Sequence, residues 1–584
     1  MKKNKIAIKR LFFEMKKQWP SLILISFFSV AAVLCSLYLP ILVGDAIDYI
    51  LGFENVDFDS IIPILIMIFA VTIAGALLQW IVSILNCKIA YDLLFDLRKR
   101  MFEKIEKLPL KYFDNNLTGE TVSKIINDTD AVSEGILLCF GQLFTGIVTI
   151  VGTLIFMLAL RAEIALIVIL VTPLSFFVAK YISTHTYTMY KKQAEIRGVQ
   201  TGFIDEIIGN EKTVKAFNRE AASVETFEKL NTELEKYSLK ATFFSSIPNP
   251  ASRFVNSVVY AGVVCFGAFF TVMTSGTAVP FTVGNLSSFL SYTNQYTKPF
   301  NEISGVIAEL QNSFACASRI FDFLDENELS DETDKKEFSS LRGDVIFSDV
   351  CFSYNKKSPL IQNFSVNVKA GQTVAIVGPT GCGKTTLINL LMRFYDVDSG
   401  NIFIDGKNIY EFSRESLRKN IGMVLQNTWI KTGTVRENIS MGKKEATFDE
   451  LVNVAKLCHI HSFIKRLPEK YDTVISESDG VLSQGQRQLL CIARIFLTLP
   501  PILILDEATS SIDTRTEMKI QKAFSVLSKN RTSFVVAHRI QTVKNADIIL
   551  VMNKGNIIEQ GTHEELIEKR GFYYELYNSQ FEIS

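Results

Sequence analysis

At 584 residues the chain has room for several domains, and a formal net charge of zero gives no electrostatic case for nucleic acid or an acidic partner. Average hydropathy is positive and Phe occurs 44 times, which points to a membrane protein. The nine Cys are scattered without a C-x-x-C pair, and Cys458, His459 and His461 are too few for a zinc site, so the sequence argues against a disulfide framework and a metal centre built on Cys and His.

Residues 1–19 interleave Lys and Arg with Leu11, Phe12, Phe13 and Trp19, the pattern of an amphipathic helix on the cytoplasmic membrane surface. The first apolar run is too long for a cleavable signal peptide. Residues 20–44, 61–86 and 135–160 carry no charge, and each can cross a hydrocarbon core of about 30 Å. Residues 164–179 continue through YISTHTYTMY to a fourth span. Residues 255–297 are uncharged, too long for one span, and divided by TSGTAVP at 274–280. Six membrane helices are therefore expected. The 51–60 loop is acidic (Glu54, Asp57, Asp59), whereas the N-terminus and residues 87–134 and 186–240 are rich in Lys and Arg. The positive-inside rule places both termini and both long loops in the cytoplasm. Helices that continue so far from the bilayer need a partner there, and KYFDNNLTGE (111–120) and IIGNEKTVKAF (207–217) are the candidate contact points. Gln79, Gln142, Asn249, Arg253, Lys298 and Glu302 are the polar groups within or beside spans. With Phe244, Phe254 and Phe300 they define a hypothetical translocation path, though an interhelical hydrogen bond explains any single one.

Residues 325–338 (DENELSDETDKKEF) read as a polar linker. From Gly343 onward short β-rich runs alternate with helices, an α/β pattern. VIFSDVCFSY ends at Tyr354, an aromatic that either stacks on adenine or belongs to the strand core. Next, TVAIV reads as a buried strand, GPTGCGKTT as a glycine loop and LINLLMRF as a helix. That context makes Gly378, Pro379, Thr380, Gly381, Cys382, Gly383, Lys384, Thr385 and Thr386 a phosphate-binding loop. The glycines let backbone N–H groups converge on an anion at a helix N-terminus. Lys384 can reach the β- and γ-phosphates, and the Thr385 hydroxyl can ligate Mg²⁺. Farther on, ILILDE puts Asp506 at the C-terminal end of a buried strand, where it can hold Mg²⁺, with Glu507 next to it to polarise a water.

LSQGQRQLLCIAR (482–494) lies between these motifs and resembles the signature segment of ATP-binding-cassette (ABC) transporters. Others follow in the family's order: Tyr354 matches the adenine-stacking aromatic, Gln426 the glutamine loop, SSID ending at Asp513 the D-loop, and His538 the switch histidine. FDNNLTGE and DEIIGNEKTVKAFNRE also look like the family's exporter-type coupling regions. The resemblance covers essentially the whole chain. It implies an all-α six-helix transmembrane domain (1–324), a linker (325–338) and an α/β P-loop nucleotide-binding domain (339–584). It further implies that Ser483, Gln484, Gly485 and Gln486 face ATP held by another subunit, so that one chain makes half of each composite site. Glu507, His538 and Gln426 become the catalytic residues, with Thr385, Gln426 and Asp506 around Mg²⁺.

Gln484 stands where glycine is usual, and ISESDGV before it is atypical, while the chain's own phosphate loop, Glu507 and His538 are intact. That combination resembles the consensus-site subunit of bacterial heterodimeric multidrug exporters. The expectation is ATP-driven export of amphipathic drugs or lipids from a bacterial cell by a chain paired with a second half-transporter in the plasma membrane. A different subunit is the favoured partner and a second copy the alternative. A lipid or peptide flippase, or a nucleotide-gated membrane protein that does not pump, is the competing reading.

Overall fold

The computed structural model describes residues 2–50, 56–274, 280–332, 334–338, 341–356, 358–425, 428–477, 480–506, 512–536 and 543–581. They fall into two compact units, Met1–Lys107 with Asn116–Asn327, and Leu108–Asn115 with Glu328–Ser584.

The first unit is helical throughout its described elements. Its N-terminal helix α1 (Lys2–Glu14) buries Ala7 and Leu11 while Ile6, Phe12 and Phe13 face outward. Then come α2 (Trp19–Ile50) and α3 (Phe58–Lys107), and, after the short α4 (Leu110–Asn115) of the other unit, α5 (Thr118–Leu160). The remaining long helices are α6 (Ala162–Gly209), α7 (Glu220–Ser246), α8 (Pro248–Thr274) and α9 (Val283–Leu324). By length and composition, Ile6–Ile50, Phe58–Lys107, Thr118–Leu160 and Arg253–Thr274 qualify as spans among the described residues. α9 interleaves its apolar side chains with Ser288, Thr293, Asn294 and Lys298, which dilutes its hydropathy. The 274–280 turn lies outside the described residues apart from its two ends. α3 has 50 residues, about 75 Å at the helical rise of about 1.5 Å per residue, so it runs far past a bilayer core.

Helix contacts in this unit follow the chemistry of small and polar groups in an apolar setting. Gly44 of α2 and Gly284 of α9 are so close that a Cβ on either would strike the other's backbone. The Gly284 N–H donates to Asp48 (2.8 Å), and the Ser288 and Tyr292 hydroxyls donate to the Pro40 and Leu37 carbonyls (2.7 and 2.5 Å). Within α5 a π turn at Lys124–Asp128 disturbs the carbonyl ladder. Arg98 of α3 answers it by donating to the Ile125 and Ile126 carbonyls (both 3.3 Å), and Arg319 of α9 grips Asp128 with two bonds of 2.8 and 2.6 Å. Of the hypothetical path residues, Lys298 and Glu302 pair with each other at 3.9 Å, Gln79, Gln142 and Arg253 are exposed, and the Asn249 side chain lies outside the described residues.

The second unit contains a four-stranded antiparallel sheet, order β2-β1-β4-β5, and a six-stranded sheet, order β12-β11-β3-β10-β9-β6. The first sheet is formed by β1 (Val345–Phe352), β2 (Ile361–Val368), β4 (Ser399–Ile404) and β5 (Lys407–Asn408). The second comprises β3 (Thr373–Val377), β6 (Ile421–Val424), β9 (Ile502–Asp506), β10 (Thr532–Val536), β11 (Ile548–Asn553) and the antiparallel edge β12 (Asn556–Gly561). A small ribbon joins β7 (Gly433–Thr434) and β8 (Val474–Ile475). β3, β9 and β10 are near-continuous apolar runs because both faces are covered: one by the β1–β2–β4 layer and the helix after β3, the other by the helices between β6 and β12. The polar 325–338 stretch is packed near its end, where Phe338 stacks on Phe412 at 3.7 Å between centroids.

Candidate nucleotide site

The phosphate loop leaves β3 at Val377 and enters α10 (Lys384–Leu391). Gly378, Gly381 and Gly383 have φ of +152°, +82° and +105°, a backbone that only glycine adopts without strain. A Cβ on Gly378 would strike the Met552 carbonyl, whereas the space around Gly381 is open to 4 Å. Lys384 is buried. Its Nζ donates to the carbonyls of Gly378 (2.7 Å) and Pro379 (3.0 Å), which holds the ammonium across the loop. Thr385 is exposed in the first turn of α10, and Thr386 is buried.

Tyr354 lies just beyond β1 and is 43 % exposed, so the strand-core alternative does not hold; the core aromatic is Phe352. The Tyr354 hydroxyl donates to Thr386 Oγ1 (3.3 Å) and accepts from Asn389 Nδ2 (3.4 Å), which sets the ring beside the first turns of α10. Its ring meets Tyr395 edge-on at 5.0 Å, and the Tyr395 hydroxyl bonds the Asp114 carboxylate of α4, within the same unit. Thus the first half of the 111–120 segment groups with the nucleotide fold. The 207–217 segment lies in the first unit.

Three parallel strands beside β3 end at Val424, Asp506 and Val536, along the edge where ligands collect in open α/β sheets. Asp506 is buried there. Gln426, Glu507 and His538 follow these strand ends in sequence and lie outside the described residues. The Thr385 hydroxyl and Asp506 carboxylate are hard oxygen donors. No group of three His, Cys, Asp or Glu capable of holding a metal occurs among the described residues. That donor set suits Mg²⁺, which takes few protein ligands and completes its shell with water and phosphate oxygens.

The signature segment opens α11 (Gln484–Thr498) with a capping box: Ser483 Oγ accepts the Gln486 N–H (3.3 Å), and Gln486 Oε1 accepts the Ser483 N–H (2.9 Å). The Ser483 hydroxyl keeps its own proton to donate. Gln484 is exposed, so its extra side chain meets no obstacle within this chain. Gly485 is buried against α12 (Thr514–Ser528), where a Cβ would lie 2.5 Å from Thr516 Cγ2. Asp513 caps α12 by accepting the Thr516 N–H (2.9 Å), and that bond holds its carboxyl below the usual range.

Sequence reading missed Arg494 as a tie. It donates to Asn438 O (2.8 Å), Asn438 Oδ1 (2.8 Å) and Trp429 O (2.9 Å). Fully buried Asn438 also bonds Lys431 and Thr434. The far end of the signature helix is thereby bolted to the segment downstream of Gln426. The available signal was an Asn at helical spacing from Val435 and next to Ile439, on the apolar face of VRENIS.

Comparison with known families matches residues 22–300 to the ABC transporter transmembrane region and 361–510 to the ABC transporter family. A fatty acid ABC transporter ATP-binding/permease protein of Mycobacterium bovis is 40 % identical over 523 residues, covering 90 % of this chain and 82 % of its own length. An ATP-dependent lipid A-core flippase of Syntrophus aciditrophicus is 35 % identical over 546 residues, covering 93 % and 89 %. The solved structure of a bacterial Atm1-family ABC exporter with ATP bound superposes with a TM-score of 0.77 at 26 % identity, covering 97 % of this chain and 98 % of that one. Membrane helices followed by a phosphate loop, a strand-end Asp506 and a capped signature helix, together with these matches, establish that the chain belongs to the ABC transporters, as an exporter-type half-transporter with ATPase activity linked to transport.

Proposed function

We propose that this chain exports amphipathic small molecules, lipids or drugs, across a bacterial cell membrane as half of a transporter whose other half is a different subunit. Residues 1–324 form the membrane domain, 325–338 the connection and 339–584 the nucleotide domain, with both termini in the cytoplasm. The carrying observation is the loop at 378–386, with Lys384 held across it, Thr385 exposed in the first turn that follows and Asp506 at the C-terminal end of β9 as oxygen donors. The relatives named for fatty acid and for lipid A-core support an amphipathic cargo.

ATP would bind with its phosphates on the 378–386 backbone and its adenine against Tyr354. Mg²⁺ would be held by Thr385, Asp506 and Gln426, and would offset charge on the β- and γ-phosphates. Glu507 polarises the attacking water, and His538 contacts the γ-phosphate. Ser483, Gly485 and Gln486 serve ATP held by the partner, with Gln484 altering that site, and Asp513 lies at the interface between the two nucleotide domains. Closure is a population shift driven by ATP contacts made only in the dimer.

Glu507→Gln should retain ATP binding and lose hydrolysis by roughly a hundredfold or more, trapping the closed dimer. ATP binding and steady-state turnover in the purified transporter test this; wild-type turnover would refute the role. Survival of half the activity would instead mean that the partner-held site is competent.

A further inference from the structure

Between the end of α9 at Leu324 and Glu332 lie only residues 325–331. Glu332 is among the most heavily bonded carboxylates of the second unit. Its Oε1 accepts from Arg414 Nη1 (2.6 Å), Arg393 Nη2 (2.7 Å) and Lys335 Nζ (3.1 Å), and its Oε2 accepts the Arg414 backbone N–H (2.6 Å). The Glu332 and Arg414 side chains are each 10 % exposed, and that of Arg393 3 %.

The partners belong to two different parts of the nucleotide fold. Arg393 follows α10, in left-handed backbone with φ +51°, and also donates to the Phe412 carbonyl (2.9 Å). Arg418 fastens the same corner by donating to the Met392 and Arg393 carbonyls (3.2 and 3.0 Å). α10 begins with Lys384 and Thr385, so this corner is the rear mount of the phosphate-binding helix. Arg414 is the first residue of the short helix Arg414–Lys419, which feeds β6 and, in sequence, Gln426. A carboxylate on that first N–H also suits the positive end of the helix. Burial opposes the charge on Glu332, but the Arg414 N–H, Lys335 and the two guanidiniums outweigh it and keep the carboxyl below its usual range.

We propose that Glu332 is a positioning residue for coupled ATP hydrolysis: one carboxylate that fastens the chain arriving from α9 to the rear of the phosphate-binding helix and to the helix feeding β6. A displacement of α9 then reaches both parts through a short covalent tether with a fixed end. A slack tether or an unfastened end weakens that transmission without touching the reacting groups.

The test uses the full transporter, with its partner, reconstituted in lipid vesicles. Two variants separate the clamp from simple packing: Glu332→Gln, and a Gly-Ser-Gly-Ser insertion between Asn327 and Glu328 that leaves every Glu332 bond in place. The readouts are KM and kcat for ATP, and the change in amide hydrogen exchange of α2 and α3 on adding ATP with vanadate. Glu332→Gln is expected to raise KM roughly threefold or more with kcat within about twofold, and to cut the exchange response by about half or more. The insertion should leave KM and kcat unchanged and cut the response to a similar degree. A wild-type response in the insertion variant overturns the proposal. So does a proportional loss of kcat and response in Glu332→Gln with KM unchanged, the signature of a merely destabilised fold. If Glu332→Gln does not fold, the insertion variant decides alone.

Discussion

Arg494 shows what a single side chain does in this molecule. Three donors of one guanidinium reach two backbone carbonyls and one amide oxygen, all within 2.9 Å. None of these acceptors is adjacent in sequence, so the arginine holds tertiary structure rather than helix. Removing it strips Asn438 O and Trp429 O of a charged donor in a partly buried setting. Arg494→Ala should cost about 2–3 kcal/mol, lowering the thermal midpoint of the nucleotide unit by about 5 °C. Arg494→Lys should recover only part of it, because an ammonium lacks the planar fork that spans both Asn438 oxygens. Differential scanning calorimetry of the two variants checks this; equal midpoints for wild type and Arg494→Ala would mean the three bonds do not hold the helix. The sequence announced the phosphate loop because its chemistry is local: glycines, a lysine and a hydroxyl within one turn. It did not announce Arg494, whose carbonyl and amide partners lie 56 and 65 positions away, or Glu332, whose two arginines lie 61 and 82 positions away. The 325–338 stretch read as a polar linker for the same reason. Within it Glu332 meets Lys335 locally, but the two guanidiniums that complete its pairing come from distant parts of the fold.

At the level of elements, periodicity and context carried the reading. β3 was legible as a buried strand and β9 as a buried parallel strand from their apolar runs, and the structure pairs both in parallel with β10. The π turns in α5 were not legible, since a π turn differs from an α turn by hydrogen bonds and not by composition. Helix approach was equally hidden: nothing around Gly485 in sequence says that α12 comes within reach of its missing Cβ. In an open helix Gly→Ala would stabilise by a few tenths to about 1 kcal/mol. Here the added carbon would sit 2.5 Å from Thr516 Cγ2 and 3.0 Å from Ile512 Cγ2, so Gly485→Ala should destabilise by about 1–3 kcal/mol. Thr516→Ser removes the nearer methyl while keeping the N–H that caps on Asp513. The double variant should therefore regain part of the loss, and a double-mutant cycle on thermal unfolding measures it. Strict additivity would show that the two helices have room to part.

For the whole molecule, the proposed reading turns on a signature helix that would serve a site it does not contain. Ser483 is capped within its own chain, Gln484 is exposed, and Gly485 is packed inward. Among the non-serine positions Gln484 is exposed, Gly485 buried and Gln486 half-buried, so Gln484 presents its side chain most fully to solvent, where a second nucleotide domain would bring its ATP. In a symmetric pair both sites would carry that bulk beside the γ-phosphate, where lost or displaced donors cost about a hundredfold or more in turnover. In an asymmetric pair the altered signature faces only the partner's ATP, and this chain's loop, Asp506 and Glu507 meet whatever signature the partner offers. We therefore expect the chain expressed alone to hydrolyse ATP at least about tenfold more slowly than when co-expressed with its partner. Gln484→Gly should raise activity in the self-paired form and leave the mixed transporter within about twofold. Turnover per mole, with the mass of the particle measured in the same preparation, decides between the two assemblies. A stable two-copy particle with full transport-linked hydrolysis would make this chain its own partner, and Gln484 would then be a tolerated substitution rather than the mark of an unequal pair.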